Sequence, residues 1–232
     1  MAEAGDTPPG TAVELGREIV DAVKPKLRGW LHAGMFPLAV AAGIVLVALA
    51  GGPRARVACA IYATSAALLF GVSAVFHRFD WGPRAAAALR RLDHANIFLI
   101  IAGTYTPTTY LLLDGSAERI LLAVIWTGAL AGVAFRVLWV GAPRWLYTPV
   151  YIALGWAAVF FLPSFLRSGG VAVMVLIVVG GVLYTAGGIV YGLRRPNPFP
   201  RWFGFHEVFH ALTIAAFVVH YIALMMVAVS AS

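Results

Sequence analysis

The chain is predicted to be an all-α, polytopic membrane protein, with seven transmembrane helices, the N-terminus cytoplasmic and the C-terminus outside. Three observations carry that expectation. Of its 232 residues 61% are hydrophobic and only 12% charged, with a mean hydropathy of +0.87, whereas soluble domains carry about 25% charged residues. Apolar stretches of roughly 20 residues, enough to cross bilayer hydrocarbon, recur seven times, and no strand-like alternation at barrel spacing competes with them. Lys and Arg are also distributed unevenly between alternate loops, which sets orientation by the positive-inside rule.

Residues 1–28 read as a cytoplasmic tail and 29–232 as the seven-helix membrane domain. Gly5, Pro8, Pro9 and Gly10 give the start of the tail a disordered composition. Val13, Ile19, Val20 and Val23, set among Glu14, Arg17, Glu18 and Asp21, predict a short amphipathic helix on the cytoplasmic face. Pro25 ends it, and residues 24–30 form an interfacial collar.

The spans are expected at 33–51, 57–77, 94–113, 119–140, 145–166, 171–192 and 203–229, joined by short loops except at 78–92 and 193–202. Pro107, in Gly103-Thr-Tyr-Thr-Pro107, removes a helical hydrogen bond and predicts a kink in the third span. The segment 193–202 contains three prolines and stiffens the approach to the seventh span. Trp30, Trp81, Trp139, Trp145 and Trp202 fall near the cytoplasmic boundary as an aromatic belt, while Trp126 and Trp156 sit within spans as packing residues. The single Cys59 lies in an apolar run and reads as a buried, inert thiol.

A net charge of +7 raises the question of nucleic acid, and the distribution answers it. Arg17, Lys24, Lys26 and Arg28 precede the first span; Arg78, Arg84, Arg90 and Arg91 follow the second. Arg136 and Arg144 are counted with the fourth loop region, and Arg194, Arg195 and Arg201 follow the sixth. Only Arg54, Arg56, Arg119 and Arg167 fall on the opposite side. Such a pattern is a topology signal with attraction to anionic headgroups; no nucleic-acid partner is implied.

The candidate chemistry begins with His206-Glu-Val-Phe-His210. Residues four apart share a helix face, so both imidazoles can meet one cation. Ser73 and His77 have the same spacing at the end of the second span. With the topology above, Ser73, His77, Asp93, His206 and His210 all arrive at the cytoplasmic level from three helices. Ionisable groups within spans are rare and functional by default. His77, His206 and His210 would leave a zinc ion one open position, and the ion would acidify water there. Asp93 would take a proton or orient a ligand histidine, and equally suits an ion pair with Arg90 or Arg91. Ser73 would donate to an oxyanion or bond the carbonyl four residues back.

His-Glu-x-x-His is also a metalloprotease signature with the glutamate as base, but Glu207 stands about 100° round the helix from His206 and its role stays open. His220 lies about 15 Å further along the helix than His210 and cannot share its ion; it needs a Tyr or Thr partner. His32 and His94 read as interfacial.

Taken together, Ser73-x-x-x-His77, Leu92-Asp-His-Ala-Asn-Ile97, Ala102-Gly-Thr-Tyr-Thr-Pro107 and His206-x-x-x-His210 resemble the hemolysin III group of the progestin and adipoQ receptor (PAQR) family, over nearly the whole chain. The resemblance implies zinc held by His77, His206 and His210, with Ser73 and Asp93 as catalytic counterparts. It implies a bacterial cell membrane location and a role in membrane lipid homeostasis. Through a wider group that includes alkaline ceramidases it implies hydrolysis of a lipid amide or ester, with membrane lipid as substrate or ligand. The alternatives are a pore-forming hemolysin and a non-enzymatic receptor or sensor built around a structural zinc.

Overall fold

A computed structural model describes residues 25–139 and 141–230; the tail segment 1–24, including the expected amphipathic helix, lies outside the described residues. Among those residues the only regular structure is helical: α1 (Trp30–Leu49), α2 (Gly52–Arg78), α3 (Pro83–Leu112), α4 (Gly115–Leu138), α5 (Arg144–Gly155), a 3₁₀ segment (Trp156–Phe161), α6 (Leu162–Leu193) and α7 (Phe205–Ser230). Five segments are long and apolar enough to cross a membrane: α1, α2, α4, the continuous run Arg144–Leu193, and α7.

The run Arg144–Leu193 is 50 residues long, about 75 Å if straight, against hydrocarbon of about 30 Å. It therefore folds back. Gly170 breaks α6 with φ 77 and ψ 176, a conformation that glycine adopts without Cβ strain. The two arms run antiparallel, with Gly188 against Ile152 and Thr148, and Gly181 against Trp156. The break falls in the gap expected between residues 166 and 171.

The 3₁₀ segment would expose backbone polar groups in lipid, where each unmet group is costly. Tyr105 of α3 meets two of them: its hydroxyl donates to Gly155 O (2.6 Å) and accepts from Ala158 N (2.7 Å). That explains the tyrosine in the Gly-Thr-Tyr-Thr-Pro motif better than a kink does, since α3 stays helical through Pro107 to Leu112. Thr104, Thr106 and Thr108 bond carbonyls four residues back. Trp126 and Trp156 pack inside as expected, donating to Thr106 and Thr185, and Cys59 is fully buried.

Two loop expectations change. The segment 78–92 is not a long loop: α3 starts at Pro83, a proline suited to the first helical turn, and Ala85–Ala88 extend it with the best helix former. Arg136, assigned to a loop by charge counting, belongs to the last turn of α4 and is buried, its guanidinium 4.2 Å over the Tyr147 ring.

Within the bundle α1 packs on α2, α2 on α3, α3 on α4 and α6 on α7, and α7 closes against α1. One core cluster joins α1, α2, α3 and α7 around Tyr62, Phe70 and Phe217. A second joins α3 and α4 to the folded-back arms around Phe98, Ile125 and Phe165. The end of α2, the first third of α3 and the starts of α1 and α7 meet at one end of the molecule, and the candidate site is there.

Candidate metal centre

α7 is started by its own loop. Asn197 Oδ1 accepts from Phe205 N (2.7 Å) and Glu207 Oε2 from Gly204 N (2.8 Å), satisfying two of the amides that a helix start leaves open. His206 and His210 then project from one face toward His77, which closes α2. The His77 and His206 Nε2 atoms are 3.1 Å apart. A donor nitrogen from each of His77, His206 and His210 lies within 4.8 Å of the other two, and all three residues are buried. A tetrahedral zinc with bonds of about 2.0–2.1 Å separates its nitrogen ligands by roughly 3.4 Å. The histidines therefore fit one transition-metal ion, and the three could hold one without moving a helix.

Asp93 and Ser73 flank the cluster. Asp93 Oδ2 is 3.8 Å from His77 Nε2, and the Ser73 side chain faces the same carboxylate. Arg90 and Arg91 are not the partners of Asp93 among the described ion pairs. His94, the next residue on α3, turns aside: its Nδ1 meets Arg90 O (2.7 Å) and its Nε2 the Tyr191 hydroxyl (3.1 Å).

Glu207 resolves plainly. It is 1% exposed, pairs with Arg28 and is not among the mutually close donor groups. The protease-like glutamate is therefore a fastener. It ties α7 to the collar, where Lys26 N and Leu27 N also donate to Arg201 O and Trp202 O. Gly29 completes the contact. It holds φ +82, and a Cβ there would stand 2.8 Å from His77 Cβ.

His32, expected at the interface, lies instead inside the bundle. It is 2% exposed, and its ring lies parallel to that of His210, with centroids 3.7 Å apart and planes 5° from coincidence. No one-dimensional spacing links residue 32 to 210, so only its histidine identity near a span end could have flagged it. His220 donates Nε2–H to Ile177 O (3.1 Å), a backbone rather than a Tyr or Thr oxygen, with the Tyr184 ring 5.6 Å away.

A cavity opens beside the histidines; Ser73, Asp93, His206 and His210 form its polar end, and Ile97, Ile101 and Ile152 continue its wall. A second cavity shares Thr104, Tyr105, Trp156 and His220 with the first and runs on past Phe165, Val173 and Val227. The two extend along most of α7.

The chain resembles Hemolysin-3 of Bacillus cereus, 32% identical over 180 residues that cover 76% of this chain and 79% of the relative. It resembles the Hemolysin-3 homolog of Bacillus subtilis (strain 168) at 30% over 171 residues, 74% of this chain and 77% of the relative. The human monocyte to macrophage differentiation factor matches at 23% over 202 residues, 84% of this chain and 80% of the relative. The model of the family described as haemolysin-III related matches residues 20–221. With several membrane-length helices, three clustered histidines and these relatives, the chain is a multi-pass bacterial membrane protein that belongs to the haemolysin-III related family.

Proposed function

We propose that the protein is a zinc-dependent hydrolase of lipid amides or esters acting in membrane lipid homeostasis, crossing the membrane seven times from a cytoplasmic N-terminus to an outer C-terminus. The carrying observation is the junction of three buried histidines with a long, apolar-walled cavity. A lipid tail fits the apolar wall, and its carbonyl then stands at the polar end. The seven-span reading counts the two arms of the Arg144–Leu193 run separately, which makes six, and adds α3, a helix of 30 residues; the orientation follows from the Lys and Arg distribution.

His77, His206 and His210 would hold the ion. When bound, zinc supplies Lewis acidity toward a carbonyl oxygen and toward water at neutral pH. Asp93 accepts the proton of the attacking water and returns it to the departing nitrogen or oxygen, as the C–N or C–O bond breaks and the new C–O bond forms. Ser73 donates to the carbonyl oxygen as that atom gains negative charge. The apolar cavity excludes bulk water, which strengthens both contacts. Glu207, held by Arg28, takes no part.

The test is metal analysis of the purified protein together with release of free fatty acid from long-chain acyl amides and esters. The expected result is about one zinc per chain, and an Asp93→Asn variant that keeps zinc but loses turnover by about 100-fold or more. Turnover that survives Asp93→Asn, or a protein that binds no zinc, overturns the assignment. Full zinc occupancy without turnover of any acyl amide or ester favours instead a structural clamp between α2 and α7, as a receptor would use.

A further inference from the structure

We infer that His32 is a substrate-contacting residue: a fourth imidazole that hydrogen-bonds the polar head of the bound lipid beside the metal, without being a metal ligand. The inference rests on the lipid reading above and adds a residue to it.

The geometry excludes ligation. An imidazole binds a metal through a nitrogen lone pair lying in the ring plane. The His32 and His210 rings are stacked, 3.7 Å between centroids and 5° from parallel, so an ion in the plane of His210 stands well off the plane of His32. Among the described residues the cluster of mutually close donor atoms accordingly contains His77, His206 and His210.

Packing alone does not explain a histidine there either. The ring is stacked on His210 and set edge-on against Phe70, with centroids 5.0 Å apart and planes at 85°. A phenylalanine would supply the same contacts. The histidine brings two nitrogens, and neither has a hydrogen-bond partner among the described residues although both are buried. Leaving buried polar atoms unmet costs free energy, so their partner is sought outside the protein. His32 also lines the cavity, next to Ser73, Asp93, His206 and His210, and a ligand entering that end meets it. A neutral imidazole offers one N–H donor and one bare acceptor. That pair suits an amide, which both donates and accepts, better than an ester, which only accepts.

The test compares a C16 N-acyl amino alcohol with the matching ester, in which oxygen replaces the amide N–H. Binding is measured on the full-length, cobalt-loaded protein in detergent, in the Asp93→Asn background to prevent turnover. With His32 present, the amide should bind roughly three- to tenfold more tightly than the ester, the worth of one hydrogen bond. His32→Phe should erase that preference while leaving the cobalt affinity and its visible spectrum unchanged. His32→Gln, which retains a donor and an acceptor, should restore part of the preference, and it decides the matter if the phenylalanine variant fails to fold. A preference that persists in His32→Phe, or that His32→Gln fails to restore, overturns the inference. Loss of cobalt in His32→Phe overturns it too, by placing the residue in the metal centre. Should neither lipid bind even with His32 present, this inference and the lipid reading fall together; ester and amide binding equally well sinks the inference alone.

Discussion

Breaking the Arg28–Glu207 pair should have opposite-sized effects depending on which partner is removed. Glu207 is 1% exposed and Arg28 19%. Arg28→Ala leaves a buried carboxylate whose remaining described bond is the Gly204 amide. Removing one partner of a fully buried pair costs about 3–5 kcal/mol, and the partial exposure of Arg28 lowers that to about 2–3 kcal/mol. Glu207→Gln differs because the amide oxygen still accepts from Gly204 N, while the guanidinium at the edge reaches water. Its cost should be about 1 kcal/mol. At about 2–4 °C per kcal/mol for a chain of this size, Tm should fall by about 5–10 °C in Arg28→Ala and by about 2–4 °C in Glu207→Gln. The double variant should be more stable than Arg28→Ala alone, since no charge is then left buried. Thermal unfolding of the zinc-loaded protein in detergent reads all three. Equal or reversed destabilisation would refute the reasoning. Zinc loss in Glu207→Gln would do so more sharply, by returning the glutamate to the metal.

Three further outcomes are expected. His77→Ala should weaken zinc binding by about 100-fold or more, since the apparent binding energy of structural zinc sites is on the order of 10 kcal/mol shared among few ligands; isothermal titration with a competing chelator measures it. Gly29→Ala should lower both Tm and zinc affinity, because an L-residue in the left-handed region costs about 1–2 kcal/mol and the new methyl would press His77. Gly34→Ala, with nothing within 4 Å of the added Cβ, is the control and should do neither. Tyr105→Phe should leave Gly155 O and Ala158 N unmet at the 3₁₀ segment, at a cost of about 1–3 kcal/mol for each group, read as a drop in Tm with zinc content unchanged.

Much of the candidate site was readable in one dimension because its residues come in helical pairs. His206 with His210 and Ser73 with His77 announce themselves by the i, i+4 spacing, and the topology brings Asp93 to the same level. Residues whose meaning depends on a distant partner gave no such signal. Glu207 forms a protease-like motif by spacing, yet its partner is Arg28, 179 residues away. His32 resembles any polar residue near a span end until α1 packs against α7 and sets it on His210. Tyr105 reads as part of a kink because the 3₁₀ backbone that needs its hydroxyl lies fifty residues further on.

The amino-acid order by itself determined the helical membrane class, since only long apolar runs meet the demands of hydrocarbon, and the separation of the 145–166 and 171–192 runs, since about 20 residues suffice to span. It also determined which helix faces carry imidazoles. The tertiary structure decided what those faces confront: three nitrogens within 4.8 Å, a carboxylate beside them, an acid clamped by a collar arginine, and a cavity leading away. The reason is physical. Periodicity along a helix fixes direction about its own axis, whereas the partner across a contact depends on how separate helices pack, and small side chains in lipid permit many such packings.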